Sequence, residues 1–139
     1  MSSISTGMSI LSKGMSAQRV RVNLVASNLA NAHTTKTDEG GPYKRKDPIF
    51  QSFRLPEGEG NEGLASVMVV DVKTDSSPGP KVYDPDHPDA DDEGLVEMPN
   101  VNVVEEMVNL ITAQRSFEAN VQAFQTLRDM SQRAIDLGR

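Results

Sequence analysis

The sequence predicts an α+β protein in which long N- and C-terminal α-helices flank a small β-rich middle region. Apolar residues recur at steps of three and four near both ends of the 139-residue chain, and a β-branched run lies between them. Segments rich in Gly and Pro separate these parts. We therefore expect a helical segment over 1–33, a β-rich region over 34–99 and a second helical segment over 100–139. The two helices are expected to pair as a coiled-coil-like bundle in an assembled state.

The first helix is predicted from a heptad pattern of apolar residues with one polar member. Gly7 and Gly14 each disfavour the helix by about 1 kcal/mol relative to alanine, so the isolated helix should be weakly formed. Asn28 and Asn31 are candidate caps at its end. The predicted interface residues of this helix, which we call the N-terminal seam, are Ile4, Met8, Leu11, Met15, Gln18, Val22, Val25 and Leu29.

The middle region contains one clear strand candidate. Residues 64–72 are rich in β-branched side chains, and we predict that they pair with part of 43–55. Pro48 should place its strand at an edge or introduce a bulge, because proline cannot donate to a ladder. The acidic, Gly-rich 55–63 segment is predicted to be a turn or loop, and the Pro-rich 76–94 segment a loop.

The second helix carries signals at both of its ends. Asn102 followed by Glu105 indicates an N-cap with a capping-box partner, and Gly138 is a natural stop. These limits predict about 35 residues, or roughly 52 Å at 1.5 Å per residue. The predicted interface residues of this helix, the C-terminal seam, are Val103, Met107, Leu110, Gln114, Phe117, Val121 and Phe124.

Antiparallel pairing of the two helices would bring Gln18 and Gln114 within about one turn of each other. We predict that they form a polar layer in the pair, as buried amides do in coiled coils. Further apolar residues lie off both seams and pack either on the middle region or on other subunits. A compact domain of this length is under about 40 Å across, so helices of roughly 43 and 52 Å must protrude from it, which favours the second alternative. These residues are Ile10, Val20, Leu24, Val104, Val108, Ile111 and Ala119.

Composition excludes several classes of function. The formal net charge of −6 argues against nonspecific nucleic-acid binding, which needs a basic surface. The absence of cysteine excludes disulfides, thiolate zinc sites and a cysteine nucleophile. Neither a cleavable signal nor a membrane span is visible in the sequence.

The acidic loop offers a weak match to a calcium site. Asp89, Asp91, Glu93 and Gly94 occupy the first, third, fifth and sixth positions of a calcium loop. Asn100 stands at the twelfth position, where a bidentate glutamate is normally required. A solvated acidic loop is therefore the favoured interpretation.

Other chemical motifs are missing from the sequence. His33 and His87 lie in loop-like sequence without metal-ligand spacing, and no nucleophile-and-base pattern or phosphate-binding glycine pattern is present. We expect no enzyme activity, no cofactor and no metal. The cluster 44–46 (Lys-Arg-Lys) is interpreted as a solvated surface in preference to a contact with the acidic 84–93 loop of another subunit.

Two long stretches resemble flagellar basal-body rod proteins. They are VASNLANAHTTKTDEGGPYKRK (25–46) and VYDPDHPDADDEGLVEMPNVNVVEEMVNLITAQRSFEANVQAF (82–124), and the resemblance extends over nearly the whole chain. The Asn-Leu-Ala-Asn stretch at 28–31 is typical of rod and hook proteins generally. The chain departs from the usual pattern at His33, Asp38 and Phe117.

The resemblance implies a structural subunit of the proximal rod, which crosses the periplasm and transmits torque. It also implies export without a cleavable signal through the flagellar type III apparatus. The implied partners are copies of the chain itself, the rod proteins FlgB, FlgF and FlgG, and the basal-body protein FliE.

A soluble coiled-coil adaptor or secretion chaperone is the alternative. It would also have two amphipathic ends around a small middle region. It predicts a discrete dimer, independent of concentration, with ordered ends.

Overall fold

A computed structural model describes residues 2–56 and 63–138, and the side chains from residue 4 onward. It has two long helices and two small β-sheets, which confirms the α+β class. The predicted 55–63 turn lies largely outside the described residues. In chain order the elements are α1 (Ser2–Ala30), β1 (Lys46–Arg54), β2 (Ala65–Thr74), β3 (Lys81–Tyr83), β4 (Leu95–Glu97) and α2 (Val103–Leu137).

The helices α1 and α2 pack against each other in antiparallel orientation. A Cβ atom added to Gly7 would lie 3.0 Å from Leu127 Cδ1, and one added to Gly14 would lie 3.2 Å from Asn120 Nδ2. At the other end, Asn28 Nδ2 donates to Glu106 Oε2 at 3.0 Å. The two residue numbers of each facing pair add up to 134. Because this sum is constant, the antiparallel helices keep one register along most of α1.

The contact face is displaced by one residue from the predicted seams. Gly7, Gly14, Arg21 and Asn28 recur every seven residues on α1, each just before a residue of the N-terminal seam. The facing heptad on α2 is Glu106, Ala113, Asn120 and Leu127. One residue turns a helix by about 100°, so this displacement moves part of each seam to the flank of the pair. Small side chains at the contact let the backbones approach closely.

Three members of the C-terminal seam are consequently exposed, namely Val103, Met107 and Gln114. The described seam residues are otherwise half-buried, apart from the buried Val25. For these three exposed residues the predicted seam is wrong within one chain, whereas the two seams as an assembly interface stay a prediction.

The predicted glutamine layer is also wrong for this helix pair. Gln114 is exposed, and no hydrogen bond joins it to Gln18 among the described residues. The Oε1 atom of Gln18 is buried without a hydrogen-bond partner in the part of the chain that is described. The one-residue displacement accounts for this, because it turns Gln114 out of the contact.

Strands β1 and β2 form an antiparallel hairpin, as predicted for 64–72 and part of 43–55. Pro48 pairs with Val72, and the register shifts between Ile49 and Phe50, which leaves Val70 as the extra residue of a bulge. The proline thus lies beside the bulge. Apolar side chains on this hairpin remain exposed, namely Ile49, Phe50, Phe53, Met68, Val70 and Val72.

Strands β3 and β4 form a second, shorter hairpin that sequence analysis missed. Val82 pairs with Val96, which corrects the prediction of a continuous loop over 76–94. The pairing is extended by a backbone hydrogen bond from Met98 N to Pro80 O at 2.8 Å. A three-residue strand between prolines has too few residues to show an alternating pattern.

The buried residues lie along the helix pair and where it meets the β-region. The three largest fully buried side chains are Glu106, Val96 and Asn28, and two of these are polar. The apolar core is small, as expected from 4% aromatic residues. It consists of Ala17, Val25, Ala32, Tyr43, Val96 and Ala113.

Candidate assembly interface and polar junction

Asn28 is the centre of a buried polar junction between α1, β1 and α2. Its Nδ2 donates to Lys46 O at 2.9 Å and to Glu106 Oε2 at 3.0 Å. Its Oδ1 accepts from Lys46 N at 3.0 Å and from Tyr43 OH at 2.9 Å. The side-chain amide thus pairs with both backbone groups of Lys46 as a neighbouring strand would. All its hydrogen-bonding groups are used, as burial requires.

Glu106 joins this junction from the first turn of α2. It is 1% exposed, and its Oε1 accepts from Arg45 Nε at 2.7 Å. Its position favours a carboxylate, because the unpaired N–H groups of a helix N-terminus carry partial positive charge. The buried charge is thus compensated by the cation, the amide of Asn28 and the helix terminus.

Arg45 extends the junction to the surface. Hydrogen bonds to Asp47 and, more weakly, to Glu106 raise the pKa of its guanidinium, against the opposing effect of burial. Its backbone N–H donates to Asn100 Oδ1 at 2.8 Å, and Asn100 Nδ2 donates to the Ser77 carbonyl at 3.1 Å. The segment that leads into α2 is thereby hydrogen-bonded to the residue that precedes β1.

The helix ends differ partly from prediction. Asn28 is not a cap, since it lies within α1 and serves the junction. Asn31 Nδ2 donates to the Ser27 carbonyl at 2.9 Å, which satisfies an acceptor at the helix end. At α2, Asn102 Oδ1 accepts from the N–H groups of Val104 and Glu105.

Glu105 does not complete a capping box among the described residues. No hydrogen bond connects its carboxylate to the Asn102 N–H, and it remains exposed in the first turn. Its negative charge still lies where the helix dipole favours it. Gly138 follows the last helical residue, and its N–H donates to Ile135 O at 3.2 Å.

The basic cluster is not simply solvated, so that interpretation is wrong for two of its three residues. Lys44 Nζ lies 3.0 Å from Glu97 Oε1, and Arg45 pairs with Glu106 and Asp47. The hydrogen bond from Lys44 lowers the pKa of the Glu97 carboxyl. These partners belong to the same chain, and none of them lies in the 84–93 loop.

The acidic loop uses its carboxylates to hold turns. Asp91 Oδ1 accepts from the N–H groups of Glu93 and Leu95 at 2.9 and 2.8 Å. Asp89 Oδ2 accepts from Thr35 Oγ1 at 2.7 Å, and Asp89 N donates to His87 Nδ1 at 3.1 Å. Within residues 2–56 and 63–138, no group of three or more potential ligands could hold a metal ion.

A row of exposed apolar side chains runs along the outer face of α2. We call Val104, Met107, Val108 and Ile111 the outer stripe. They are 69%, 53%, 59% and 51% exposed, and their spacing places them on one side of the helix. Val103, at 39%, adjoins them. A contiguous apolar patch of this kind typically marks an interaction surface.

An apolar groove runs along the helix pair nearer its middle. One part, of about 290 Å³, is lined by Arg19, Val22, Gln114, Phe117 and Glu118. A second part, of about 270 Å³, shares Arg19 and Phe117 and continues to Met15 and Ser12. We call these two parts together the flank groove. Seam residues thus line an open surface of the pair.

Neither Glu106 nor the phase of the helix contact was identified from the sequence. Glu105 and Glu106 both lie in the first turn of α2, where the helix dipole favours a negative charge at either position. The sequence pattern therefore does not indicate which of the two is buried. The small-residue heptad is visible in the sequence as Gly7 and Gly14, but a glycine within a predicted helix by itself indicates only a weaker helix. In the described chain, no helix is long and apolar enough to cross a bilayer.

Comparison with known proteins gives consistent results over nearly the whole chain. Residues 8–36 match the family model "Flagella basal body rod protein", and residues 92–137 match "Flagellar basal body rod FlgEFG protein C-terminal". The flagellar basal-body rod protein FlgC of Aquifex aeolicus is 41% identical over 137 residues, which is 98% of each chain. The FlgC proteins of Escherichia coli and Borreliella burgdorferi are 42% and 36% identical, with 94% of each chain covered. With this identity over nearly its full length, the chain belongs to the FlgC family of flagellar basal-body rod proteins.

Proposed function

We propose that this chain builds the rod by packing apolar surfaces, which its own helix pair leaves uncovered, against neighbouring subunits. Membership of the family makes it a structural subunit of the flagellar basal-body rod. The proposal concerns how that subunit assembles, what it contacts and what it transmits.

One observation carries the proposal: small and polar residues lie in the contact of the helix pair, and most of its apolar seam residues are only half-buried. Gly7 and Gly14 form the close contacts, and Asn28 with Glu106 forms the buried end. Met107 of the outer stripe and the seam residues that line the flank groove are therefore left partly uncovered. The other stripe residues, Val104, Val108 and Ile111, lie off both seams and are also more than half exposed. Burial of apolar surface contributes about 25 cal/mol per Å², so these surfaces favour association.

The proposed partners are copies of the chain, the rod proteins FlgB, FlgF and FlgG, and the basal-body protein FliE. We place the rod subunit in the periplasm after export through the flagellar type III apparatus without a cleaved signal. Many helices packed side by side would share a torsional load over a continuous apolar interior. The proposed role is mechanical and involves neither catalysis nor a cofactor.

Sedimentation of the purified chain, alone and mixed with the rod partners, tests the proposal. Rod assembly predicts a monomer or weak oligomer alone and open-ended or heterotypic complexes on mixing. The adaptor or chaperone alternative predicts one dimer at every concentration, with both termini resistant to limited proteolysis. That second result would contradict the proposal.

A surface variant makes this test specific. Val104→Ser combined with Val108→Ser should weaken assembly while the fold stays unchanged, because both side chains are mainly exposed. The matched control is Gln122→Ser with Gln125→Ser, which alters two exposed polar residues of the same helix. Equal assembly by both double variants would contradict the role of the outer stripe.

A further inference from the structure

We propose that the outer stripe of one subunit docks into the flank groove of a second copy of the same chain. This inference rests on the proposed function and names the two surfaces that meet. The contact joins two different surfaces, so each subunit presents one free stripe and one free groove. Such a heterologous contact continues into an open helical array instead of closing as a dimer.

The outer stripe has the pattern of a helix that binds in a groove. Its residues follow at steps of three, one and three, as the anchors of groove-bound helices do. From Val104 to Ile111 it extends about 11 Å at 1.5 Å per residue. Asn102 caps the start of α2, so the stripe is presented on a helix whose first turn is already fixed.

The flank groove has a matching length. On α1 its lining extends from Ser12 to Val22, which is about 15 Å. Apolar contact is provided by Met15, Val22 and Phe117, which are half-buried. The groove is therefore long enough for the full stripe.

Charge favours a parallel arrangement of the two copies. The facing residues of α1 and α2 sum to 134, so Arg19 of the groove lies level with residue 115 of its own α2. Centring the stripe on the groove displaces the second copy by about nine residues, or roughly 14 Å along the axis. This displacement brings the exposed Glu105 of one copy level with the exposed Arg19 of the other. A complementary pair at the rim favours this register over others.

Cysteine cross-linking of the full chain tests the pairing, because the natural sequence contains no cysteine. In the parallel arrangement, Val104 of one copy meets Val22 of the next and Ile111 meets Met15. Oxidising a mixture of the single variants Val104→Cys and Val22→Cys should shift the 15.1 kDa band to twice that mass. The mixture of Ile111→Cys and Met15→Cys should do the same. A chain carrying both Val22→Cys and Val104→Cys should give a ladder of higher multiples.

The swapped mixtures, Val104→Cys with Met15→Cys and Ile111→Cys with Val22→Cys, serve as matched controls. A disulfide requires Cα atoms within about 7 Å, so these should not cross-link. A mixture of Glu105→Cys and Arg19→Cys repeats the test at exposed positions, where substitution does not threaten the fold.

Four results would count against the inference. Cross-linking of Val104→Cys with itself would indicate a symmetric dimer, and cross-linking of the swapped mixtures would indicate antiparallel docking. Absence of cross-links in a sample that sediments as polymers would overturn the pairing of these surfaces while the proposed function stands. Absence of both polymers and cross-links would overturn the inference together with the proposed self-association.

Discussion

Replacement of Glu106 by glutamine should destabilise the protein far more than the same change one residue earlier. Glu106 is 1% exposed and accepts hydrogen bonds from Arg45 Nε and Asn28 Nδ2 on its two oxygens. A glutamine side chain has one oxygen, so one of these donors would face an NH₂ group. Glu106→Gln therefore removes a charge-assisted hydrogen bond and leaves a donor in or near the interior unpaired.

The size of the effect follows from the burial of each partner. Breaking a fully buried ion pair costs about 3 to 5 kcal/mol. Here the Arg45 side chain is 22% exposed and retains Asp47 as a second partner, so part of its charge stays compensated. We expect a loss of about 2 kcal/mol in the free energy of unfolding. For a chain of this length that lowers Tm by roughly 7 °C.

Urea unfolding followed by circular dichroism measures this difference, with thermal unfolding as a second readout. Glu105→Gln is the control, because Glu105 is exposed and neighbours Glu106 in the same helical turn. A surface change of this kind is expected to stay within about 0.5 kcal/mol. If the two variants unfold at the same urea concentration with the same slope, the buried junction does not stabilise the fold as argued.

Three further outcomes are expected. Gly14→Leu should destabilise the chain by about 1 to 3 kcal/mol in urea unfolding, because even a Cβ there would lie 3.2 Å from Asn120 Nδ2; an unchanged midpoint would contradict close helix contact. The Glu97 carboxyl has a lowered pKa in the folded state, so its contribution is present at neutral pH and is lost as the pH falls through that value; Glu97→Gln should therefore flatten the acid side of the stability profile, and an identical profile would contradict this. In hydrogen exchange, amides at 106–113 should be better protected than those at 130–137, because the first segment contains the buried Glu106 and Ala113; equal protection would contradict the difference.

Periodicity predicted where the helices lie but not which of their faces meet. The pattern of Met8, Met15 and Val22 and the pattern of Gly7 and Gly14 have the same seven-residue period and differ by one position. Periodicity alone favours the more apolar of the two. The structure pairs the glycine face, where close backbone approach is possible, and this choice depends on the partner helix, which a local pattern does not describe.

The hairpins and the polar junction also show that a local sequence pattern does not describe the partners of a residue. The β1–β2 pairing was predictable because 64–72 is a long β-branched run, whereas β3 and β4 have three residues each. Asn28 was identified as structural, but as a cap, because an asparagine near a helix end suits that role. Its partners, Lys46 and Glu106, are 18 and 78 residues away in sequence, so only the fold brings them together.

In our proposal, the helix face that carries the glycines stabilises the single chain, and the exposed apolar face serves assembly. A pair that buried all its apolar residues would be stable alone and would have little left to bury against neighbours. Here the chain is held by glycine contacts and by a polar junction whose hydrogen bonds require specific geometry. Such contacts set the register of the helix pair and leave the outer stripe uncovered. Under the proposed function, the apolar surface that remains exposed on the single subunit is the surface that rod contacts bury.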